Sequence, residues 1–323
     1  TKLSDGLLTM DIKDTLSSIN IADNLDEDQL IKIGNQVADG YDTDLASRKP
    51  WEDDLKSWTE LALQISNPKT YPWVNAANIK FPALATAAMQ FAARAYPTLV
   101  PSNGKVVKCR VIGSDPDGEK SKRAYRISTH MSYQVMDQME DWEEEMDKLL
   151  LALPIAGTCF KKTYWNSEKN SVCSKLVLPK TLVVNYYCRN LDEAERVTEV
   201  IYLTKRKVTE RIKQGVFCDC LEDMGDPQIL NQDETTTING AFQRAGDQDD
   251  ATPYTILEQH TYLDLDDDGY AEPYIVTIDY HSRKVLRIVA RFTQDGVVLN
   301  DKSDITLINA VQYYTKYDFI PNP

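Results

Sequence analysis

Apolar positions return every three or four residues through the first half of the chain, then give way to runs in which β-branched and aromatic residues alternate with polar ones. After Asp26, Glu27 and Asp28, the residues Leu30, Ile33, Val37 and Tyr41 line one face of a predicted helix. Pro50 to Ile65 predicts a second, with Trp51, Leu55, Trp58, Leu61 or Ala62, and Ile65 on one side. Between Phe81-Pro82 and Tyr96-Pro97 an alanine-rich run predicts a compact helix that lets another backbone approach closely. Proline fixes its own φ and pushes the preceding residue toward extended geometry, so Tyr71, Phe81 and Tyr96 are expected at sharp corners of the chain. Lys105 to Ile112 reads as extended and Gly113 to Gly118 as turn-prone. From Glu119 to about Leu151, the positions Tyr125, Met131, Val135, Met139, Trp142, Met146 and Leu149 predict one long helix, with Pro154 just past its end.

At Pro154 and Gly157 the period changes. Strands are expected over Cys159–Trp165, Cys173–Leu178, Leu182–Tyr187 and Val197–Thr204, then over Tyr254–Leu263, Tyr274–Tyr280, Val285–Phe292 and Val311–Phe319. A short helix, Val208–Gln214, stops at Gly215, and the polar, acidic stretch 225–252 reads as a long mobile loop. No internal repeat is visible. The fold class is therefore α+β, a helical amino-terminal half (residues 1–152) followed by an antiparallel β-rich region (residues 153–323).

Length and charge narrow the function classes. A chain of 323 residues has ample material for a core. No run approaches the roughly 18 apolar residues needed to span a bilayer, and Thr1 to Asp14 lacks the basic and apolar regions of a secretory signal, so a soluble, non-secreted protein without a membrane partner is expected. The formal net charge of -14 opposes a tight, sequence-independent grip on nucleic acid, which needs lysine and arginine to displace counterions. A conduit through which a duplex slides can tolerate such walls. The six cysteines, Cys109, Cys159, Cys173, Cys188, Cys218 and Cys220, follow no small-scaffold spacing and are expected as reduced thiols.

Two charge patterns stand out. In Asp264, Leu265, Asp266, Asp267, Asp268, Gly269, Tyr270, Ala271, Glu272, carboxylates at the first, third and fifth positions and glycine at the sixth match the first half of a calcium loop, with Glu272 at the ninth. Ile275 stands where the twelfth-position glutamate belongs and the flanks read as strands. The motif therefore reads first as a solvated acidic hairpin turn. A calcium site on Asp264, Asp266, Asp268 and Glu272 is the alternative, and no other cofactor is expected. The second pattern is on the long helix. Lys120, Lys122, Arg123 and Arg126 lie toward its amino end, and Asp137, Glu140, Asp141, Glu143, Glu144, Glu145 and Asp147 toward its carboxyl end, against the preference of the helix dipole. A solvated, salt-screened face accounts for this. The alternative is an oligomer interface in which Glu143, Glu144 and Glu145 meet Lys105, Lys108 and Arg110 of a neighbouring copy.

Enzyme signatures are missing: the sequence has no Gly-x-x-x-x-Gly-Lys-Ser/Thr loop and no Gly-x-Ser-x-Gly elbow. Of the three histidines, His260 and His281 are spaced to pair with Asp264, but without a nucleophile motif they read as structural or surface residues. Cys218 and Cys220 form a lone Cys-x-Cys with no second pair at zinc spacing.

Several strings carry a likeness to a known family. The stretch from Tyr71 to Pro97, Leu153 to Lys162, the acidic turn from Asp264 to Tyr274, and Tyr317, Asp318, Phe319, Ile320, Pro321, Asn322, Pro323 resemble the amino-terminal and wing portion of tailed-bacteriophage portal proteins. The resemblance implies a subunit of a homo-oligomeric, usually dodecameric ring at a capsid vertex. Such a ring is the conduit for genome packaging and ejection and the docking site for terminase and the head-tail adaptor. It also implies contact with the major capsid protein, double-stranded DNA passing without sequence-specific binding, no catalysis, and a place at the portal vertex of the virion, with host cytoplasm during assembly. Family members continue past such a passage into stem and clip segments, so the chain reads as a partial one. The alternatives are another capsid or connector structural protein, or a calcium-stabilised α+β binding module.

Overall fold

The computed structural model describes residues 16, 18–65, 70–74, 81–167, 169–227, 252–265, 269–299 and 305–319. Among them are six α-helices, mostly in the amino-terminal half, and antiparallel sheets in the carboxyl-terminal half, which is the α+β arrangement expected. The chain packs as two units, each discontinuous in sequence: residues 1–50 with 180–312, and residues 51–179 with 313–323. The expected boundary at 152/153 falls inside a helix that runs from Trp142 to Ala156, ahead of the first strand at Thr158, and the packing units interleave across it. Of the stretch 225–252 expected as a loop, residues 228–251 lie outside the described residues.

The first unit is built on a five-stranded antiparallel sheet in sequential order: β3 (Leu182–Val184), β4 (Val197–Thr204), β5 (Pro253–Leu263), β6 (Glu272–Asp279) and β7 (Val285–Ala290). Successive side chains point to opposite faces. Leu257, Val276, Ile278 and Ile288 therefore pack with Ile33 and Val37 of α1 (Glu27–Ser47), while Ile256, Tyr254 and Leu286 pack with Val208 of α6 (Lys205–Lys213) and with Phe217. With both faces covered, the strands read as near-continuous apolar runs, which is why their existence was legible. At the start of α1 the Asp26 N–H donates to Gln29 Oε1 at 3.2 Å, the return arm of a capping box.

Long-range polar contacts fix α1 and the chain before it on this sheet. Asn20, buried ahead of the 3₁₀ turn Ile21–Asn24, pairs with β7 as a strand would: its Oδ1 accepts from Ile288 N–H at 3.0 Å and its Nδ2 donates to Leu286 O at 3.2 Å. Together with Cys218 N–H, which also donates to Leu286 O at 2.9 Å, this covers part of the outer edge of β7. At the other end of α1, the fully buried Asp44 carboxylate takes Arg196 Nη2 at 2.9 Å, Arg196 Nε at 3.1 Å and Asn185 Nδ2 at 2.9 Å. Arg48 donates to Leu182 O and Lys180 O at 2.7 and 2.9 Å. A separate ribbon of β8 (Phe292–Leu299) and β9 (Ile305–Ala310) follows β7.

The second unit holds α2 (Lys49–Ala62, of which Trp51 onward belongs here), α3 (Ala83–Leu99), α4 (Glu119–Tyr133) and α5 (Trp142–Ala156). Its three-stranded sheet has the order β10 (Tyr314–Asp318), β1 (Thr158–Asn166), β2 (Ser171–Val177). The core is Ala92 of α3, Met146, Leu149, Leu150 and Leu153 of α5, and Cys159 of β1. Small side chains on α3 permit this close seating on α5, as the alanine-rich run predicted.

Three expectations on helices need correction. The long helix is two helices. A π turn, Gln134–Gln138, ends α4, and Met139, at φ -88 and ψ 82, turns the chain before α5 begins. The three-and-four spacing of Met131, Val135, Met139 and Trp142 runs on across the break, so periodicity alone could not reveal it. Pro154 is inside α5 and Pro97 inside α3, both in the last turn; each removes one bond, and the ladder resumes beyond it, with Gly157 N–H donating to Leu153 O at 2.8 Å at the end of α5. Tyr96 is accordingly helical, with its carbonyl accepting from Val100 N–H at 2.8 Å. Lys105 to Ile112 is extended but joins no sheet. Val107 N–H donates to Ser132 Oγ at 3.1 Å and Val107 O accepts from Ser128 Oγ, so it lies along α4.

Candidate interaction surface

Breaking the helix at Met139 reverses the electrostatic reading of its acidic half. Glu143, Glu144 and Glu145 now form the first turn of α5, where the positive end of the helix dipole favours carboxylates. Each has a partner in its own chain. Glu143 accepts from the Tyr96 hydroxyl, which raises that hydroxyl's pKa. Glu144 pairs with Lys148 at 2.7 Å, and Glu145 pairs with Lys148 at 3.0 Å while accepting from Leu176 N–H of the edge strand β2 at 2.6 Å. The two glutamates hold the Lys148 ammonium above its ordinary range. Just before α5, Lys169 donates to Asp141 at 3.0 Å, and this hydrogen bond lowers the Asp141 pKa. The mismatch that motivated an interface at Glu143, Glu144 and Glu145 is thus removed from within: these acids need no cation from a neighbour.

The acidic turn joins β5 to β6, with Leu263 and Glu272 in register. Asp264 Oδ2 accepts from Gly269 N–H at 3.0 Å, and Gly269, at φ +89, takes the left-handed geometry such a turn needs. Asp266 and Asp268 lie outside the described residues. Glu272 is buried on the face that carries Leu263, which packs into the sheet core. Among the described residues no group of three or more His, Cys, Asp or Glu side chains converges on a point.

The histidines do not meet Asp264. His260 is buried in the middle of β5, opposite Val197 and Ile275, with Nε2 3.8 Å from Glu258 Oε1. His281 follows β6, its ring edge-on to Tyr280. It stands at the opposite end of the hairpin from Asp264, roughly 25 Å away at the ordinary strand rise. No disulfide joins any of the cysteines. Cys218 receives Asn20 Nδ2 at 3.1 Å and its thiol donates to Asp23 Oδ1 at 3.3 Å. Burial pushes its pKa up to about 12, that of Cys220 to about 11 and that of Cys159 to about 12. Thiols held this way are poor nucleophiles at neutral pH.

The second unit carries a different feature. Its helices leave large apolar side chains in solvent: α2 has no buried residue, α4 buries only Ser132, and α3 buries only Ala88 and Ala92. Trp58, Leu61, Met89, Tyr125 and Met131 are all exposed, as are Tyr71, Trp73 and Phe81 ahead of α3. Apolar surface left in solvent is what a docking partner would cover where it is contiguous. Beside it run cations on Lys105–Ile112 and α4, with Lys105 Nζ 5.0 Å above the Tyr125 ring. The sequence displayed the individual amphipathic stripes; which of them a single chain would leave uncovered depends on tertiary packing and had no local signal. No helix among the described residues is long and apolar enough to cross a membrane. No protein-family model matches the chain, and no curated protein matches it.

Proposed function

We propose that this chain is a wall segment of a portal ring, the homo-oligomer at one vertex of a tailed-phage capsid through which duplex DNA is packaged and later ejected. The observation that carries the reading is that the helical layer of the second unit leaves Trp58, Leu61, Met89, Tyr125 and Met131 exposed among the described residues. The portal-like strings at Tyr71–Pro97, Leu153–Lys162, Asp264–Tyr274 and Tyr317–Pro323 give the layer its context. In this reading the ring is dodecameric, sits within the major capsid protein shell, and docks terminase on one side and the head-tail adaptor on the other. It is assembled in the host cytoplasm. The role is structural, not catalytic. A net charge of -14 suits a conduit, because acidic walls repel phosphate and let a duplex slide.

The test is the size of the purified full-length protein by light scattering and electron microscopy. Rings of about twelve copies are expected, the subunit number of the family the chain resembles; cyclic symmetry follows when one heterologous contact repeats and closes. A protein that stays single under all assembly conditions, or that labels the parent virus away from its tail-bearing vertex, overturns the reading. A single chain whose melting temperature rises with calcium would favour a calcium-stabilised binding module instead.

A further inference from the structure

Two of the uncovered helices are electrostatic opposites. From Trp51 to Ala62, α2 carries Glu52, Asp53, Asp54 and Glu60 against the single Lys56; α4 carries Lys120, Lys122, Arg123 and Arg126 against the single Glu119. Among the described residues, no ion pair engages Lys122, Arg123 or Arg126, and none engages Asp54 or Glu60. Elsewhere on this unit charges are matched within the chain, as at Lys148 and Lys169. Those five side chains are left without an ion pair among the described residues.

Each helix also presents an ordered stripe in which charge comes first and apolar side chains follow. On α2, residues i, i+4 and i+7 are Asp54, Trp58 and Leu61, with Trp58 40% and Leu61 55% exposed. On α4, residues i, i+4 and i+8 are Arg123, Ile127 and Met131, with Ile127 39% and Met131 43% exposed. Positions three and four apart lie on one helix face. At 1.5 Å per residue the stripes are about 11 and 12 Å long. Laid parallel, Asp54 falls against Arg123, and Trp58 and Leu61 against Ile127 and Met131.

We propose that α4 of one copy docks on α2 of the next copy, pairing these stripes. The inference rests on the ring reading and names the contact that builds the ring. Two different surfaces meet, so the contact is heterologous, and a heterologous contact repeats around a ring when its rotation closes. A second copy is favoured over nucleic acid as the occupant because two of the three side chains of each stripe are apolar. Phosphate would engage the arginines and leave Ile127 and Met131 in water. The acidic α2 is the complementary surface this chain itself supplies.

Charge reversal on both sides decides it, read as oligomer mass of the full-length protein by light scattering, with circular dichroism to follow folding. Lys122→Glu with Arg123→Glu and Arg126→Glu, or Asp54→Lys with Glu60→Lys, should raise the concentration for half-assembly about tenfold or more, since like charges are then opposed. Mixing the two variants in equal amounts should restore rings in which they alternate, because every contact then pairs opposite charges again. Recovery on mixing also shows that both variants are folded. Rings from either variant alone at the wild-type concentration, or no recovery on mixing, overturn the contact while the ring reading stands. Intact assembly with weakened retention of duplex DNA by the α4 variant would assign that face to phosphate and likewise overturn the contact. A wild-type protein that forms no ring removes both.

Discussion

The Glu145 carboxylate accepts the backbone N–H of Leu176 at 2.6 Å, so a side chain from the first turn of α5 satisfies a donor on the free edge of β2. One residue thereby does three things: it favours the helix dipole, pairs with Lys148 and closes a sheet edge. The ion pair is half in solvent and contributes little. The charge-assisted bond to Leu176 dominates. Glu145→Ala should destabilise the protein by about 1–2 kcal/mol, and Glu145→Gln, which keeps an acceptor, by roughly half as much. Urea denaturation checks this; equal losses for the two substitutions would show that charge, not the hydrogen bond, matters.

Gly34 seats α1 on the turn between β6 and β7. A Cβ at that position would lie 2.1 Å from the Arg283 carbonyl oxygen, a backbone atom that cannot swing aside. Around it, Arg283 donates to Asn35 Oδ1 at 3.0 Å and pairs with Asp39 at 3.0 Å, and Tyr280 donates to Asp42 at 3.0 Å. Glycine inside a helix ordinarily costs up to about 1 kcal/mol relative to alanine. Here the sign reverses. Gly34→Ala should lower stability by about 1–3 kcal/mol, because α1 must lift from the sheet to make room. A melting temperature equal to or above wild type would count against that contact.

What could be read in advance follows from the range of each signal. The amphipathic stripes of α1 and α2 and the apolar strands β4 to β7 are local patterns, and they appeared where expected. The ribbon β8–β9 did not, because its first strand, through Thr293, Gln294, Asp295 and Gly296, carries no apolar alternation. Asn20 on β7 and Asp44 with Arg196 join residues more than a hundred positions apart, for which neither residue type nor spacing gives notice. The acidic cluster at Glu143–Glu145 was visible, but its meaning depended on one backbone break at Met139. The charges on α2 and α4 were equally visible. Only packing showed that Asp54, Glu60, Lys122, Arg123 and Arg126 form no ion pair among the described residues.

Lys161 is a cost built into the second unit. Its side chain is buried in β1, its ammonium lies 5.4 Å from the centre of the Trp142 ring, and among the described residues no hydrogen-bond acceptor reaches it. Burial lowers its pKa, with Glu145 opposing the shift. The unfolded chain therefore holds this proton more tightly than the folded one. The penalty is complete below the folded pKa and fades as pH rises from there to about 10.4, the ordinary lysine value. Lys161→Met keeps the stem and removes the charge, and it should raise stability at neutral pH by about 1–2 kcal/mol, the lost cation–π contact offsetting part of the gain. Urea midpoints at neutral pH and near pH 10 check the sign: the advantage of the variant should shrink at the higher pH. A variant less stable than wild type at neutral pH would show that the ammonium is compensated.

Asp115 caps the helix proposed to carry the copy-to-copy contact. Its carboxylate accepts from Lys120 N–H at 3.1 Å, Ser121 N–H at 2.8 Å and Ser121 Oγ at 2.6 Å, taking up donors that the first turn of α4 cannot satisfy itself. The Ser121 hydroxyl and N–H are the main reasons its pKa is lowered. A carboxyl with a depressed folded pKa contributes stability that is fully present above its unfolded value and is lost as pH falls through the folded one. Asp115→Ala should therefore reduce the helical signal and the melting temperature at neutral pH. Its difference from wild type should close as pH is lowered through roughly 4 and below, where both proteins lack the anionic cap. The substitution should also weaken assembly, since Arg123 and Arg126 follow within two turns of the frayed end. A difference that persists unchanged into acid would mean that the neutral carboxyl caps as well as the anion, and would remove charge from the account.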